Sequence, residues 1–159
     1  MQTEIERKFL VKDDSWRESV SKEAYFRQGY LAGSETASVR VRVANGRGDL
    51  NIKSMTLGVT RREFEYEIPL DEARDMLDNL CCGPLIEKTR YFVKHADHTW
   101  EVDVFEGDNE GLVVAEVELD SEDEAFELPA WAGEEVSHDE RYYNVCLVKH
   151  PYKEWKDKP

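Results

Sequence analysis

Three charged side chains near the start of the chain share one face of a predicted strand. Residues 3–11 alternate between charged and apolar side chains, and this period of two is typical of a strand with two unlike faces. Glu4, Glu6 and Lys8 fall on the same face, so two carboxylates and one ammonium project into the same space. Carboxylate oxygens suit a hard divalent cation, and the lysine can reach an anion bound to that cation.

Later strand-like segments carry similar charges on one face. Several arginine and lysine side chains together can bind an oligophosphate, whereas clustered carboxylates can bind a divalent cation that prefers oxygen ligands. Charges that leave water without a partner are costly, so a metal-bridged triphosphate would satisfy both signs at once. The charged residues of these segments are Arg40, Arg42, Lys53, Glu63, Glu65, Lys88, Arg90, Asp103, Glu116 and Glu118.

The pattern along the chain predicts about eight strands and a few helices that must position these residues. Asn45-Gly46 is a turn signal between two alternating segments, which predicts a hairpin there. Asp71 is a candidate N-cap for a helix that ends before Gly83-Pro84. The predicted strands are residues 3–11, 25–31, 39–43, 50–55, 61–68, 85–94, 99–105 and 112–119, and the predicted helices are residues 16–21, 71–80, 121–126 and 139–148.

The two faces of the strands predict how these elements assemble. Helices need an apolar sheet surface to pack against, and the strands supply one opposite their charges. With helices outside, the charged faces point inward, and closure of about eight strands encloses a tunnel for a small ligand. We therefore predict an α+β fold, a β-barrel with helices packed outside. Residues 1–159 form one domain in this prediction, with a charged tail at residues 151–159 that we expect to be loosely ordered.

The composition argues against several classes of protein. A formal net charge of -14 argues against binding to duplex nucleic acid, which depends on a basic surface. No window approaches the roughly 18 apolar residues of a membrane span, and the charged N-terminus lacks the apolar core of a signal peptide. We therefore expect a soluble, cytoplasmic protein. Cys81, Cys82 and Cys146 match neither a disulfide framework nor a zinc signature, so we interpret them as structural thiols.

Five short segments combine these acidic and basic residues in a recognisable order. They are Glu4-Ile5-Glu6-Arg7-Lys8, Val39-Arg40-Val41-Arg42, Glu63-Phe64-Glu65, Glu87-Lys88-Thr89-Arg90 and Ala115-Glu116-Val117-Glu118. The first matches the ExExK signature at the extreme N-terminus. The chain therefore resembles the CYTH superfamily, also called the triphosphate tunnel metalloenzymes, from Met1 to His150.

The resemblance implies an eight-stranded antiparallel tunnel that hydrolyses a triphosphate with Mg²⁺ or Mn²⁺. The segment Arg27-Gln28-Gly29-Tyr30-Leu31 is similar to that of compact bacterial members that look like inorganic triphosphatases, which implies hydrolysis of tripolyphosphate to pyrophosphate and phosphate. The implied phosphate-binding residues are Lys8, Arg40, Arg42, Lys53, Lys88 and Arg90. The implied metal ligands are Glu4, Glu6, Glu116, Glu118 and Asp103.

Lys8, Glu63 and Glu65 are the candidate catalytic residues. One metal ion would neutralise phosphate charge and a second could orient the attacking water. Glu63 and Glu65 would serve either the second metal or the water. The sequence leaves open the roles of Tyr30, Asp139 and Arg141.

Other functions stay open at this point. A class IV-type adenylate cyclase, or a nucleoside or thiamine triphosphatase, would use the same phosphate and metal chemistry with a different nucleophile or leaving group. A non-catalytic sensor of polyphosphate or nucleotide would keep the basic set with incomplete metal ligands, whereas both sets are present here. A purely structural barrel would place its charges outside. The expected partner is a small triphosphate, and the oligomeric state is open, a homodimer being compatible with the sequence.

Overall fold

A computed structural model describes residues 2–56 and 58–159 of the chain. Its strands are β1 (Gln2–Val11), β2 (Val20–Gly33), β3 (Ala37–Ala44), β4 (Arg47–Ser54), β5 (Thr60–Ile68), β6 (Ile86–His95), β7 (His98–Phe105), β8 (Val113–Glu118) and β9 (Ala132–Glu135). Its α-helices are α1 (Leu70–Asn79) and α2 (Asn144–Lys149), and its 3₁₀ helices are Ser15–Ser19, Gly107–Asn109, Glu140–Tyr142 and Tyr152–Glu154. No helix in the described part of the chain is long and apolar enough to cross a membrane.

The first eight strands close into an antiparallel barrel, which confirms the predicted fold. The strands follow the order β5-β4-β3-β2-β6-β7-β8-β1, and residues 2–5 of β1 pair with residues 60–63 of β5 to complete the ring. Further along, β1 pairs with β9 instead, through Phe9 with Glu135 and Val11 with Ala132. The ninth strand therefore extends the sheet outside the ring, and the sequence did not predict it.

The hairpin of β3 and β4 forms as predicted. Asn45 and Gly46 adopt φ angles of 52° and 71°, and two consecutive left-handed residues allow the tight turn that matches the twist of the strands. The two strands pair without a shift from Ala37 opposite Ser54 to Ala44 opposite Arg47. This hairpin fixes the register of the charged residues that follow on both strands.

Helix α1 covers the outer face of the strands near this hairpin, as predicted. Val41 of β3 is buried against Ala73 and Leu77 of α1. The helix starts at Leu70 directly after Pro69, and no side chain caps its N-terminus, so Asp71 is not the N-cap that we predicted. The outward faces of β3 and β4 are therefore covered by this helix near the hairpin, and their charged faces point inward.

The inward faces of three strands become apolar at one end of the barrel. Ile86, Phe105 and Val114 lie two residues along β6, β7 and β8 from charged inward-facing positions. They are buried in one cluster with Leu147 of α2. The cluster also includes Leu112, Val136, Tyr142, Tyr152 and Trp155. C-terminal segments thus fill this part of the barrel with apolar side chains, and the charged faces begin beyond it.

The end of the chain differs from the loosely ordered tail that we expected at residues 151–159. Tyr152 and Trp155 are buried, and their ring centroids lie 5.2 Å apart in an edge-on arrangement. Trp155 Nε1 donates a hydrogen bond to the carbonyl of His150 at 3.0 Å. Most of the neighbouring residues in this segment are charged, but burial of the Tyr152 and Trp155 rings fixes its position.

Residues 121–126 form a turn and extended chain instead of the predicted helix. The predicted capping box does not form, because Glu124 Oε1 accepts from the backbone N–H of Asp120 at 2.6 Å and the hydroxyl of Ser121 donates to Asp123 Oδ1 at 2.9 Å. Phe126 packs against Phe9 and Trp100, with ring centroids 6.0 Å and 5.9 Å apart. Tertiary packing on the outside of the barrel therefore outweighs the helical preference of this short segment.

The predicted helix at residues 139–148 is divided in two. The 3₁₀ helix Glu140–Tyr142 ends at Tyr143, whose φ and ψ of -74° and 133° are extended, and α2 follows. The hydroxyl of Tyr143 donates to the carbonyl oxygen of Ser137 at 2.8 Å, which holds the ring away from a helical path. The same hydroxyl accepts from the backbone N–H of Gly58 at 3.0 Å, and this contact with a distant segment is not visible in the apolar spacing of the sequence.

The segment before β2 also differs from our prediction. A 3₁₀ helix at Ser15–Ser19 replaces the predicted helix at residues 16–21, and β2 already begins at Val20. This strand is longer than the predicted residues 25–31 because its first part pairs with β6 and its second part with β3. Trp16 is fully buried and fixes the short helix against the barrel.

Candidate active site inside the barrel

A charged cavity of ≈ 230 Å³ lies inside the barrel. It brings together all the predicted site residues except Asp103, and they come from β1, β3, β4, β5, β6 and β8. The alternation of each strand explains this result, since charged side chains at every second position face the same way. The predicted site residues that line the cavity are Glu4, Glu6, Lys8, Arg40, Arg42, Lys53, Glu63, Glu65, Lys88, Arg90, Glu116 and Glu118.

Lys8 is the centre of one group of ion pairs. Its Nζ lies 2.8 Å from Glu116 Oε1 and 3.4 Å from Glu6 Oε1. Burial alone would lower the pKa of Lys8, but the carboxylates of Glu116 and Glu6 outweigh burial and raise this pKa above its ordinary value. Lys8 is therefore a stable cation, and Glu116, whose pKa falls well below its usual range despite burial, is a stable anion.

Lys53 holds a second group of carboxylates together. Its Nζ lies 3.1 Å from both carboxylate oxygens of Glu4 and 3.4 Å from Glu63 Oε2. These residues belong to β4, β1 and β5, which are neighbours where the barrel closes. The same closure that joins the first and fifth strands therefore assembles two acidic residues around one ammonium.

Asp103 is buried inside the barrel without lining the cavity, and it orients two cations. Its carboxylate accepts from Lys88 Nζ at 2.7 Å, and from Arg90 Nε at 2.8 Å and Nη2 at 3.0 Å. Burial lowers the pKa of Lys88 to about 8, which the charge of Asp103 offsets only in part, so the ammonium form still predominates near neutral pH. Because Asp103 is fully buried and does not reach the cavity, it differs in position from the other predicted metal ligands.

Arg40 and Arg42 are cations without a carboxylate partner. Neither guanidinium forms an ion pair with a described residue, and both Nε atoms are buried without a hydrogen-bond acceptor. Burial, followed by the charges of Arg40 and Arg90, lowers the pKa of Arg42 to about 10. A buried hydrogen-bond donor without an acceptor is unfavourable, so an anion that binds at this wall of the cavity would be stabilised.

The acidic side chains fit a hard divalent cation by their chemistry. Burial raises the pKa values of Glu4, Glu6 and Glu118, and neighbouring carboxylates raise each of them further. A divalent cation bound by carboxylate oxygens would relieve this repulsion. Within residues 2–56 and 58–159, however, no three acidic, histidine or cysteine side chains are already gathered for a metal ion. Lys8 and Lys53 occupy the space between the carboxylates, and would have to give way to a cation.

Several residues that line the cavity were absent from our predicted site. Arg61 and Glu101 lie two residues before Glu63 and Asp103, so the alternation could have identified both. Asn144 comes from α2, and its Oδ1 accepts from Lys88 Nζ at 3.0 Å; no local pattern indicates that this helix reaches the site. The other lining residues are Gln2, Tyr30, Ser38 and Val145, of which Tyr30 had been left open.

Other candidate residues lie outside the cavity. Asp139 accepts from the backbone N–H of Arg141 at 3.1 Å and from its guanidinium at 2.7 Å, which stabilises the start of a 3₁₀ helix. Arg141 lies over the rings of Tyr142 and Trp155. Both residues therefore have a structural role in this fold. The three cysteines are free thiols.

The barrel and its interior define a tunnel that is lined by both cations and carboxylates. The sequence matches the family described as the CYTH domain over residues 2–145. This chain belongs to the CYTH family. Triphosphate tunnel enzymes of this family are in general metal-dependent.

Two curated relatives are similar to almost the whole chain. An inorganic triphosphatase of Acetivibrio thermocellus is 49% identical over 157 residues, which are 99% of this chain and 100% of the relative. An inorganic triphosphatase of Nitrosomonas europaea is 39% identical over 150 residues, 92% of this chain and 97% of the relative. The crystal structure of the inorganic triphosphatase NE1496 has a TM-score of 0.66 and 36% identity, and the match covers 93% of this chain and 95% of that protein.

Proposed function

We propose that this chain hydrolyses inorganic tripolyphosphate to pyrophosphate and phosphate with Mg²⁺ or Mn²⁺. The observation that carries the proposal is the pair of guanidinium groups of Arg40 and Arg42, which face the cavity without an anionic partner among the described residues. Two relatives that match nearly the whole chain are inorganic triphosphatases, which supports the same activity. A polyanion in this cavity would give both arginines the acceptors that they lack.

The residues that bind phosphate fall into two groups by their state before substrate arrives. Arg40 and Arg42 form no ion pair with the described residues, so they would supply donors to the phosphate. Lys88 and Arg90 are already oriented by Asp103, so they add fixed positive charge without a further loss of side-chain freedom. Asp103 is thus a positioning residue in this proposal, and phosphate is held by preorganised and by free cations together.

Glu4, Glu6, Glu116 and Glu118 would hold the divalent cation. When bound, the cation supplies Lewis-acid stabilisation of the phosphate charge. Lys8 has a raised pKa and stays an ammonium, so it stabilises negative charge on the oxygens of the broken bond and does not act as a base. Glu63 and Glu65 of β5 line the cavity, and in this proposal they would orient water or serve a second cation.

The reaction adds one water across one phosphoanhydride bond. The water oxygen bonds to the terminal phosphorus, the bridging P–O bond breaks, and the pyrophosphate leaves with the bridging oxygen. The two water protons are shared between the products and solvent, so no oxidant or other co-reactant is required. The apolar cluster that fills one end of the barrel limits access of bulk water from that side.

A substrate panel tests the proposal directly. The purified protein would be assayed with tripolyphosphate, ATP, thiamine triphosphate and pyrophosphate, each with Mg²⁺ and with Mn²⁺. We expect the highest kcat/KM with tripolyphosphate, and release of one phosphate per pyrophosphate. Formation of cyclic AMP from ATP would identify a cyclase, and tight binding of tripolyphosphate without turnover would identify a sensor. A homodimer and a cytoplasmic location remain predictions.

A further inference from the structure

Arg61 also lines the cavity, and like Arg40 and Arg42 it has no carboxylate partner among residues 2–56 and 58–159. It lies on β5 directly opposite Glu4 of β1, and both side chains face the cavity. Glu4 nevertheless pairs with Lys53, and Arg61 forms no ion pair with any described residue. The nearest opposite charge across the strand pair is therefore already engaged, which leaves the guanidinium of Arg61 available to a ligand.

Tyr143 fixes the position of this guanidinium. The central carbon of the Arg61 guanidinium lies 4.9 Å from the centroid of the Tyr143 ring, which is a favourable cation–π distance. The ring is itself held at its hydroxyl, which accepts from the backbone N–H of Gly58 at 3.0 Å and donates to the carbonyl of Ser137 at 2.8 Å. Tyr143 is buried, so Arg61 rests on a rigid surface that joins two distant segments.

Arg61 lies in a different part of the cavity from Arg40 and Arg42. Arg40 of β3 pairs with Asn51 of β4, and Asn51 pairs with Glu65 of β5, which lies four residues beyond Arg61 along that strand. The free cations therefore form two positions, one on β3 and one on β5. A ligand that meets both must extend across the cavity, and a shorter ligand leaves one position unpaired.

We propose that Arg61, seated on the ring of Tyr143, is a further phosphate-binding residue that makes the cavity prefer a triphosphate to a pyrophosphate. The inference rests on the proposed function and deepens it. A third phosphate gives the Arg61 guanidinium a charge-assisted hydrogen bond that two phosphates held near Arg40 and Arg42 cannot reach. Selectivity then comes from a contact that only the longer chain makes.

The first experiment compares Arg61→Gln with Arg62→Gln. Arg62 is the next residue of the same strand and is exposed on the opposite face, so it controls for loss of one positive charge from β5. We expect kcat/KM for tripolyphosphate to fall at least tenfold in Arg61→Gln and to stay at the parental value in Arg62→Gln. The inhibition constant of pyrophosphate should be unchanged in both, and the melting temperature reports on folding.

The outcomes separate this inference from the proposed function. A parental protein that does not hydrolyse tripolyphosphate overturns the proposed function itself. With an active parent, equal kcat/KM in Arg61→Gln overturns the role of Arg61, and an equal weakening of pyrophosphate inhibition overturns its role in selectivity. Arg61→Lys keeps the charge without the planar fork, and we expect it to recover part of the loss.

A second experiment tests the positioning role of Tyr143 through a double-mutant cycle. Tyr143→Phe keeps the ring and Tyr143→Leu removes it. If the ring positions Arg61, Tyr143→Leu raises KM for tripolyphosphate in the parent but adds little to Arg61→Gln, and Tyr143→Phe recovers most of the parental KM. Additive effects of Tyr143→Leu and Arg61→Gln on kcat/KM would show that the ring acts independently, and this result would overturn the positioning role.

Discussion

At the scale of single residues, Arg40 and Arg42 combine burial with the lack of an anionic partner in the described chain. We expect Arg40→Gln and Arg42→Gln each to weaken tripolyphosphate binding by about 1.5–3 kcal/mol, the range for hydrogen bonds to charged groups. The metal-loaded but substrate-free protein should keep its stability, because each change removes a charge that repels its neighbour. Titration calorimetry and thermal denaturation measure the two effects, and the exposed Arg74→Gln is the control. Parental affinity in both variants would contradict the assignment.

Arg90 lines the same cavity, but unlike Arg40 and Arg42 it is already paired with carboxylates. Its guanidinium is held by Asp103 and Glu101, and its pKa is raised well above its ordinary value despite burial. We expect Asp103→Asn to lower the free energy of unfolding by about 3–5 kcal/mol, since it leaves two buried cations without their shared anion. Urea denaturation measures this loss. A metal affinity that falls while stability is unchanged would instead identify Asp103 as a metal ligand.

Alternation along the strands explains which site residues the sequence could predict. Glu4, Glu6 and Lys8 lie on one face of β1, and the structure places all three in the cavity. Arg61 and Glu101 obey the same rule, since each lies two residues before a predicted site residue, but neither belongs to the five segments on which the predicted site was based. Asn144 could not be predicted, since its approach to Lys88 depends on the packing of α2 and not on local sequence.

At the scale of elements, short helices were harder to predict than strands. The strands have two unlike faces, so their pattern survives in the sequence. Residues 121–126 and 139–148 have helical spacing, yet Phe126 and Tyr143 are each held by contacts with distant segments. Strand β9 has four residues and pairs only with β1, so it carries too little periodicity to be recognised.

The C-terminal segment supplies a prediction at this scale. Trp155 is buried against Tyr142 and Tyr152, with ring centroids 5.1 Å and 5.2 Å away. We expect Trp155→Ala to lower the free energy of unfolding by about 3–5 kcal/mol, the usual loss for a buried aromatic residue. Lys158→Ala, an exposed change in the same segment, is the control for urea denaturation. Equal stability of the two variants would mean that residues 151–159 are a loose tail after all.

At the scale of the whole molecule, closure of the barrel brings many charged side chains close together in its interior. The formal net charge is -14, and the cavity gathers carboxylates and cations from seven strands. Closure follows from the number of strands and their two faces, which the sequence contains. Strand β1 pairs with β5 at its start and with β9 at its end. The sequence could not predict this change, because it depends on where the pairing between β1 and β5 ends in the closed barrel.

Because of the raised pKa of Glu101, we expect the free energy of unfolding to depend on pH. Burial raises its pKa to about 7, although Arg90 acts in the opposite direction. A carboxyl group whose folded pKa is raised contributes stability below its unfolded pKa of about 4.5 and loses it as pH rises through about 7. We expect the stability of Glu101→Gln relative to the metal-free parent to rise over this window by up to about 1.4 kcal/mol per pH unit and to level off above it. Urea denaturation between pH 5 and pH 9 measures the difference, and a constant difference would contradict the raised pKa.

The metal requirement can be tested on the whole protein through both stability and turnover. A cation that binds only the folded chain stabilises it by about 2.7 kcal/mol at a hundred times its dissociation constant. We therefore expect Mg²⁺ or Mn²⁺ to raise the melting temperature by several degrees, and EDTA to abolish both this rise and hydrolysis of tripolyphosphate.

Glu4→Gln and Glu6→Gln should lose both responses while the metal-free fold persists. Lys53 keeps Glu63 at 3.4 Å when Glu4 is neutral, and Lys8 keeps Glu116 at 2.8 Å when Glu6 is neutral, so neither ammonium is left unpaired. The raised pKa values of Glu4 and Glu6 mean that their charges are unfavourable without metal, and the variants should melt at or slightly above the metal-free parent. Glu127→Gln, an exposed change outside the barrel, should behave as the parent in every assay. Parental turnover of both variants at limiting Mg²⁺, or an EDTA-resistant parent, would show that these carboxylates do not hold the catalytic cation.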